Sequence, residues 1–149
     1  KKVAFQPILN PRIYRDIISS QQIGRLKQQD NGFIYLMPHL DIILELKYLV
    51  HAARLPRGMI LKEDPLCSHI SVIYETEKLS HPVLEVGKDF MFELKDMALV
   101  RTESRDYLIL ILESQGLLDL RKKYGLEEEL VYKGLHQLPL HITLAHTAF

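Results

Sequence analysis

The clearest hydrophobic signal in the chain is Asp106 to Glu113, Asp-Tyr-Leu-Ile-Leu-Ile-Leu-Glu. An apolar run this short, with polar residues at both ends, reads as a central strand buried on both faces. Phe90–Leu94 and Ala98–Arg101 upstream are also strand-like. The turn residues Thr102-Glu103-Ser104-Arg105 then predict an antiparallel hairpin. After it, Leu117, Leu118 and Leu120 predict a short amphipathic helix over 114–124, stopped at Gly125.

Towards the start, Val3–Phe5 predicts a short strand, followed by a loop around Pro7 and Pro11. Ile13, Ile17, Ile18, Ile23 and Leu26 then predict a helix from Pro11 to about Gln29, broken near Gly24. Asp30-Asn31-Gly32 is a turn signal, and Phe33–Met37 a strand. Residues 38–54 predict a helix with a wide apolar arc, including Leu40, Ile43, Leu44, Leu46 and Leu49, ended by Pro56 and Gly58. A loop over 55–66 leads to a strand at Cys67–Tyr74. Residues 75–88 are polar, with Pro82 and Gly87. A last strand over 140–145 follows the charged stretch 127–129 and Pro139.

Two of these strands carry the same pattern of His, apolar, hydroxyl, apolar: His69-Ile70-Ser71-Val72 and His141-Ile142-Thr143-Leu144. Alternate strand residues share a face. Each strand therefore holds an imidazole and a hydroxyl together, roughly 6–7 Å apart, above apolar residues that can be buried. Imidazole exchanges protons near neutral pH, and two of them can act as base and acid on one reacting group. A hydroxyl beside each can donate to the oxygens of a phosphate.

Composition narrows the choices. A chain of 149 residues is one domain, long enough for a substantial core. Lys plus Arg and Asp plus Glu are equal at 19 each, so there is no global basic field for long duplex nucleic acid. The single cysteine, Cys67, rules out an internal disulfide and fits a reducing, cytoplasmic compartment. No apolar run has membrane-spanning length, and the Lys1-Lys2-Val3-Ala4-Phe5 start is not a signal peptide. The chain lacks an initiating Met and stops just after the second motif, as expected of a monomeric domain excised from a longer polypeptide.

The paired H-x-[ST] motifs, His69-Ile70-Ser71 and His141-Ile142-Thr143, resemble the signature of the 2H phosphoesterase superfamily. The resemblance covers the two motifs and the order of elements between them. It implies an α+β fold of two antiparallel lobes related by a pseudo-twofold axis, with flanking helices and the motifs facing across a cleft. It also implies a hydrolase that cleaves cyclic or 2′,5′-phosphodiesters of nucleotides or short RNA, 2′,5′-oligoadenylate among them, without metal or other cofactor. His69, Ser71, His141 and Thr143 would be the catalytic set, and Tyr74 a residue stacking on a base. Tyr107 is a weaker aromatic candidate of the same kind.

Rival readings attach to the same residues. A domain of this type that has lost turnover would bind nucleotides, RNA ends or a protein partner. His69 and His141 with a carboxylate could instead form a zinc hydrolase site, although no H-x-x-x-H or H-E-x-x-H pattern is present. Cys67, two residues before His69, could serve as a nucleophile, but structural cysteine is commoner. His136, His141 and His146 recur every five residues, which is poor metal-ligand spacing on a strand. His39 and His51 read as helix-surface residues, and Arg54, Arg57 and Lys62 as a solvated loop. There is no G-x-G-x-x-G or Walker motif.

Overall fold

A computed structural model of the chain describes residues 5–7, 21–44, 58–61, 68–132 and 136–147. The turn at Asp30-Asn31-Gly32 makes the first hairpin. Gly32 takes φ 95°, and the Phe33 amide donates to Asn31 Oδ1 at 3.0 Å. This turn joins β2 (Gln21–Gln28) to β3 (Ile34–Pro38), after a short β1 (Phe5–Pro7). The strand at 21–28 corrects the predicted helix there; residues 11–20 lie outside the described residues. Ile23 and Leu26 have helical spacing, but on a strand they fall on opposite faces, with Leu26 fully buried and Ile23 42% exposed. Gly24 marks a close approach rather than a helix break. A Cβ at that position would meet Leu36 Cγ at 2.8 Å.

Residues 42–44 are helical, and Asp41 caps this turn by accepting from the Leu44 amide at 3.2 Å. The rest of the predicted 38–54 helix lies outside the described residues. β4 (Met59–Leu61) falls inside the predicted 55–66 loop and pairs with the last strand. β5 (Ile70–Ile73) is shorter than the predicted Cys67–Tyr74 strand and holds Ile70, Ser71 and Val72 of the first motif, with His69 immediately before it. β6 (Asp89–Arg101) is one long strand where two were expected. A bulge between Leu94 and Asp96 turns the strand over at the polar Lys95, which is the interruption visible in the sequence. β7 (Asp106–Glu113) and α1 (Gln115–Lys123) match their predicted positions, with Gly125 at φ 79° just beyond the helix. A small hairpin of β8 (Leu130–Tyr132) and β9 (His136–Leu138) was not foreseen. β10 (His141–Thr147) carries the second motif.

The pairing follows an internal repeat. Strands β2, β3 and β5 form one antiparallel three-stranded unit, and β6, β7 and β10 form another. In each, a hairpin precedes the motif strand in the chain, with helical residues between them, 42–44 in the first unit and α1 in the second. The two units join edge to edge twice, through β5 with β10 and through β2 with β6. Six strands therefore close into a ring, a barrel of wholly antiparallel pairs. The predicted antiparallel sheets and flanking helix are present, but the two units are fused into one closed sheet rather than separate lobes.

One face of all six strands is apolar. Leu26, Leu36, Ile70, Phe92, Leu110 and Ile142 are all at most 1% exposed and belong to one cluster, which Ile42, Leu117, Leu120 and Tyr124 complete. Each such burial contributes roughly 1.5–3 kcal/mol. On the opposite face Ala98, Val100 and Ile109 form a smaller cluster, so β7 is buried on both faces as its sequence predicts. Among the described residues no helix is long and apolar enough to cross a membrane.

Candidate functional site

The two motif strands are neighbours, with Ile70 opposite Ile142, both fully buried on the core face. In an antiparallel pair that register sets His69 beside Thr143 and Ser71 beside His141, all on the other face. Directly opposed residues sit roughly 4.5–5.5 Å apart, and diagonal ones roughly 7–8 Å. The two histidine positions form one diagonal of this square and the two hydroxyl positions the other. A local twofold axis between Ile70 and Ile142 exchanges His69 with His141 and Ser71 with Thr143. All four side chains are half-buried.

Both strands are tied down beside their motifs. Ser68, 1% exposed, donates from Oγ to Asp41 Oδ1 at 2.6 Å and accepts from the Ile43 amide at 3.2 Å. The residue before His69 is thereby fixed to the start of the helix. At the other end of β5, Arg121 Nη1 donates to the Val72 carbonyl at 2.8 Å. Just before β10 the Leu140 carbonyl accepts from the Leu112 amide at 3.0 Å, and at its far end Thr147 Oγ1 accepts from the Asp106 amide at 3.1 Å.

The His141 ring is oriented by the chain immediately before it. Its Nδ1 lies 2.8 Å from the Pro139 carbonyl oxygen. A carbonyl only accepts, so Nδ1 carries the proton and Nε2 is the nitrogen that gains or loses one. The His69 ring has a different setting. It stands edge-on to Phe33 and Tyr35, each with its centroid 6.0 Å away. Phe33 in turn stacks with Tyr35 at 5.5 Å and with Tyr74 at 6.0 Å. Tyr74 thus belongs to the aromatic group around His69, and its ring is half-buried against the core. Tyr107 packs on the smaller cluster instead.

Phe33, Tyr35, Ser68 and the Pro139 carbonyl were not picked out from sequence. Phe33 and Tyr35 lie two apart on a predicted strand, so their common face was readable. Their contact with His69 depends on β3 pairing with β5, where Tyr35 lies opposite Ser71.

The other candidates fall elsewhere. His39 is exposed and lies 3.4 Å from Asp89, which also pairs with Arg25 at 3.3 Å. Desolvation tends to raise the Asp89 pKa, but the Arg25 and His39 contacts outweigh it and hold the carboxyl below its ordinary value. His146 Nδ1 approaches the Thr147 carbonyl at 2.8 Å. Cys67, His51, Arg54, Arg57 and Lys62 lie outside the described residues, as does the side chain of His136. Among the described residues no group of three His, Cys, Asp or Glu side chains is placed to hold a metal ion.

A recess of about 310 Å³ lies away from the motifs, beside Glu77, Arg121 and Glu127. The fully buried Arg121 there offers no donor to a ligand. Its five N–H groups go to the carbonyls of Val72, Glu127 and Glu129 and to both carboxylate oxygens of Glu77.

No protein-family model, curated protein or solved structure matches this chain.

Proposed function

We propose that this chain is a phosphodiesterase of the 2H type, acting on a cyclic or 2′,5′-phosphodiester of a nucleotide or short oligoribonucleotide. The observation that supports the reading most is the Ile70–Ile142 register, which sets two histidines and two hydroxyls in twofold relation on one sheet face. Further support comes from the pairing of six strands into two three-stranded antiparallel units, each with a motif strand at its edge.

In this reading one imidazole takes a proton from the nucleophile as its oxygen attacks phosphorus. The nucleophile is water for a cyclic ester and, for a 2′,5′-linked oligoribonucleotide, the substrate's own neighbouring 3′-hydroxyl, since the 2′-oxygen is already esterified. The other imidazole, entering protonated, gives its proton to the departing oxygen as the P–O bond breaks. The diagonal of the square, roughly 7–8 Å between backbone positions, separates base and acid as attack and departure on opposite sides require. Ser71 and Thr143 donate to the non-bridging oxygens, which carry negative charge throughout. Fixing the proton on Nδ1 of His141 leaves Nε2 to do the exchange. The resting charge is met by donors and an imidazolium, so the reading requires no metal.

The test is turnover of a panel containing 2′,3′-cyclic nucleotides, 2′,5′- and 3′,5′-linked oligoadenylates and cyclic dinucleotides, each with and without EDTA. The expected result is cleavage of a cyclic or 2′,5′-linked member that EDTA leaves unchanged. Tight binding with no turnover would make the domain a nucleotide-binding module, and EDTA-sensitive turnover would make it a metal-dependent hydrolase. Either outcome contradicts the proposal.

A further inference from the structure

The strand register extends beyond the four motif residues. Lys27 lies opposite Tyr35, Tyr35 opposite Ser71, and Ser71 beside His141. These four residues form one row across β2, β3, β5 and β10 on the same face of the sheet. Neighbouring strands are roughly 4.7–4.9 Å apart, so the Lys27 backbone lies two spacings, roughly 9–10 Å, from that of Ser71. The Lys27 side chain is exposed and, among the described residues, no carboxylate holds its ammonium. Its neighbour on that face of β2, Arg25, is engaged by Asp89. Between Lys27 and the motifs stand Phe33 and Tyr35, stacked on each other.

The row reads cation, aromatic, hydroxyl and imidazole. A single nucleotide phosphate held at the hydroxyls and imidazoles would leave Lys27 unused, because the aromatic column separates them. A chain of nucleotides fits the whole row, with its next phosphate past the aromatic side chains and within the sweep of a flexible lysine. We propose that the substrate is an oligonucleotide carrying at least one phosphate beyond the one cleaved, and that Lys27 binds that second phosphate. This rests on the reading of the motif residues as a phosphodiesterase site. The lysine makes no contact with the reacting atoms, so it acts on binding and not on chemistry.

The experiment compares wild-type protein with Lys27→Ala and Lys27→Arg on two substrates, a 2′,3′-cyclic mononucleotide and a 2′,5′-linked triadenylate. The triadenylate carries a phosphate beyond the one being cleaved. For Lys27→Ala we expect kcat/KM on the triadenylate to fall about tenfold through KM, the scale of one charge-assisted contact, with no change on the mononucleotide. Lys27→Arg should restore most of the loss. Wild-type binding of the triadenylate should also depend more steeply on salt than that of the variant, by roughly one released counterion. Equal losses on both substrates, or a loss on neither, would overturn the inference while leaving the phosphodiesterase reading intact. Wild-type failure to turn over either substrate would instead overturn that reading, and the inference with it.

Discussion

At the scale of single residues, the best-defined ionisable group lies outside the motifs. Glu85 is 9% exposed and receives the Tyr124 hydroxyl and the Lys123 ammonium, the latter at 3.2 Å. Burial acts to raise its pKa, but the Tyr124 and Lys123 hydrogen bonds outweigh that and hold it below the ordinary 4.5. A carboxyl whose pKa is lower folded than unfolded stabilises the fold above its unfolded value and loses that contribution as pH falls through the folded one. The wild-type urea midpoint should therefore drop on acidification below about pH 4.5. Glu85→Gln should be less stable at neutral pH and show a smaller drop in that window. Parallel pH profiles for the two proteins would contradict the assignment. Glycine 24 teaches a different point at this scale. Its lack of a side chain suggested a broken helix, when the physical cause was Leu36 lying across the neighbouring strand.

Among the elements, those set by local chemistry were readable from sequence. β7 declares itself as an unbroken apolar run, and α1 by a leucine stripe between Ser114 and Gly125. Ser114 caps α1 by accepting from the Leu117 amide at 3.2 Å. Elements that depend on distant partners were not readable. β2 has too few apolar residues to show its alternation, and it is a strand because β3 and β6 satisfy its backbone on both sides. The β8–β9 hairpin, three residues a side, is too short for a periodic signal. Arg121 couples elements in the same non-local way, joining α1 to β5, to Glu77 and to the 127–129 segment. Glu77 lies 2.7 Å from it, its side chain only 5% exposed. Arg121→Met would leave that carboxylate buried without its partner, which costs about 3–5 kcal/mol. A clear fall in the urea midpoint is expected, and an unchanged midpoint would show that the pair does not hold β5 in place.

For the whole molecule, the sequence showed two matched tetrads but not their relation. A spacing of 72 residues cannot by itself say whether two strands pair, and the flanking residues do not repeat. Pairing Ile70 with Ile142 sets both motifs about one local twofold axis and closes two three-stranded units into a ring. That symmetry underlies the central claim that His69 and His141 act together on one phosphate. The most direct measurement is turnover of the cleaved substrate by folded His69→Ala, His141→Ala and the double variant. Each single change should lower kcat by about 10²–10⁴-fold, the usual worth of one positioned proton-transfer group. The double variant should lose far less than the product of the two, because both groups serve one transition state. Folding should survive, since Ile70 and Ile142 hold the strand pair from the opposite face. Wild-type turnover in either folded single variant would contradict the account.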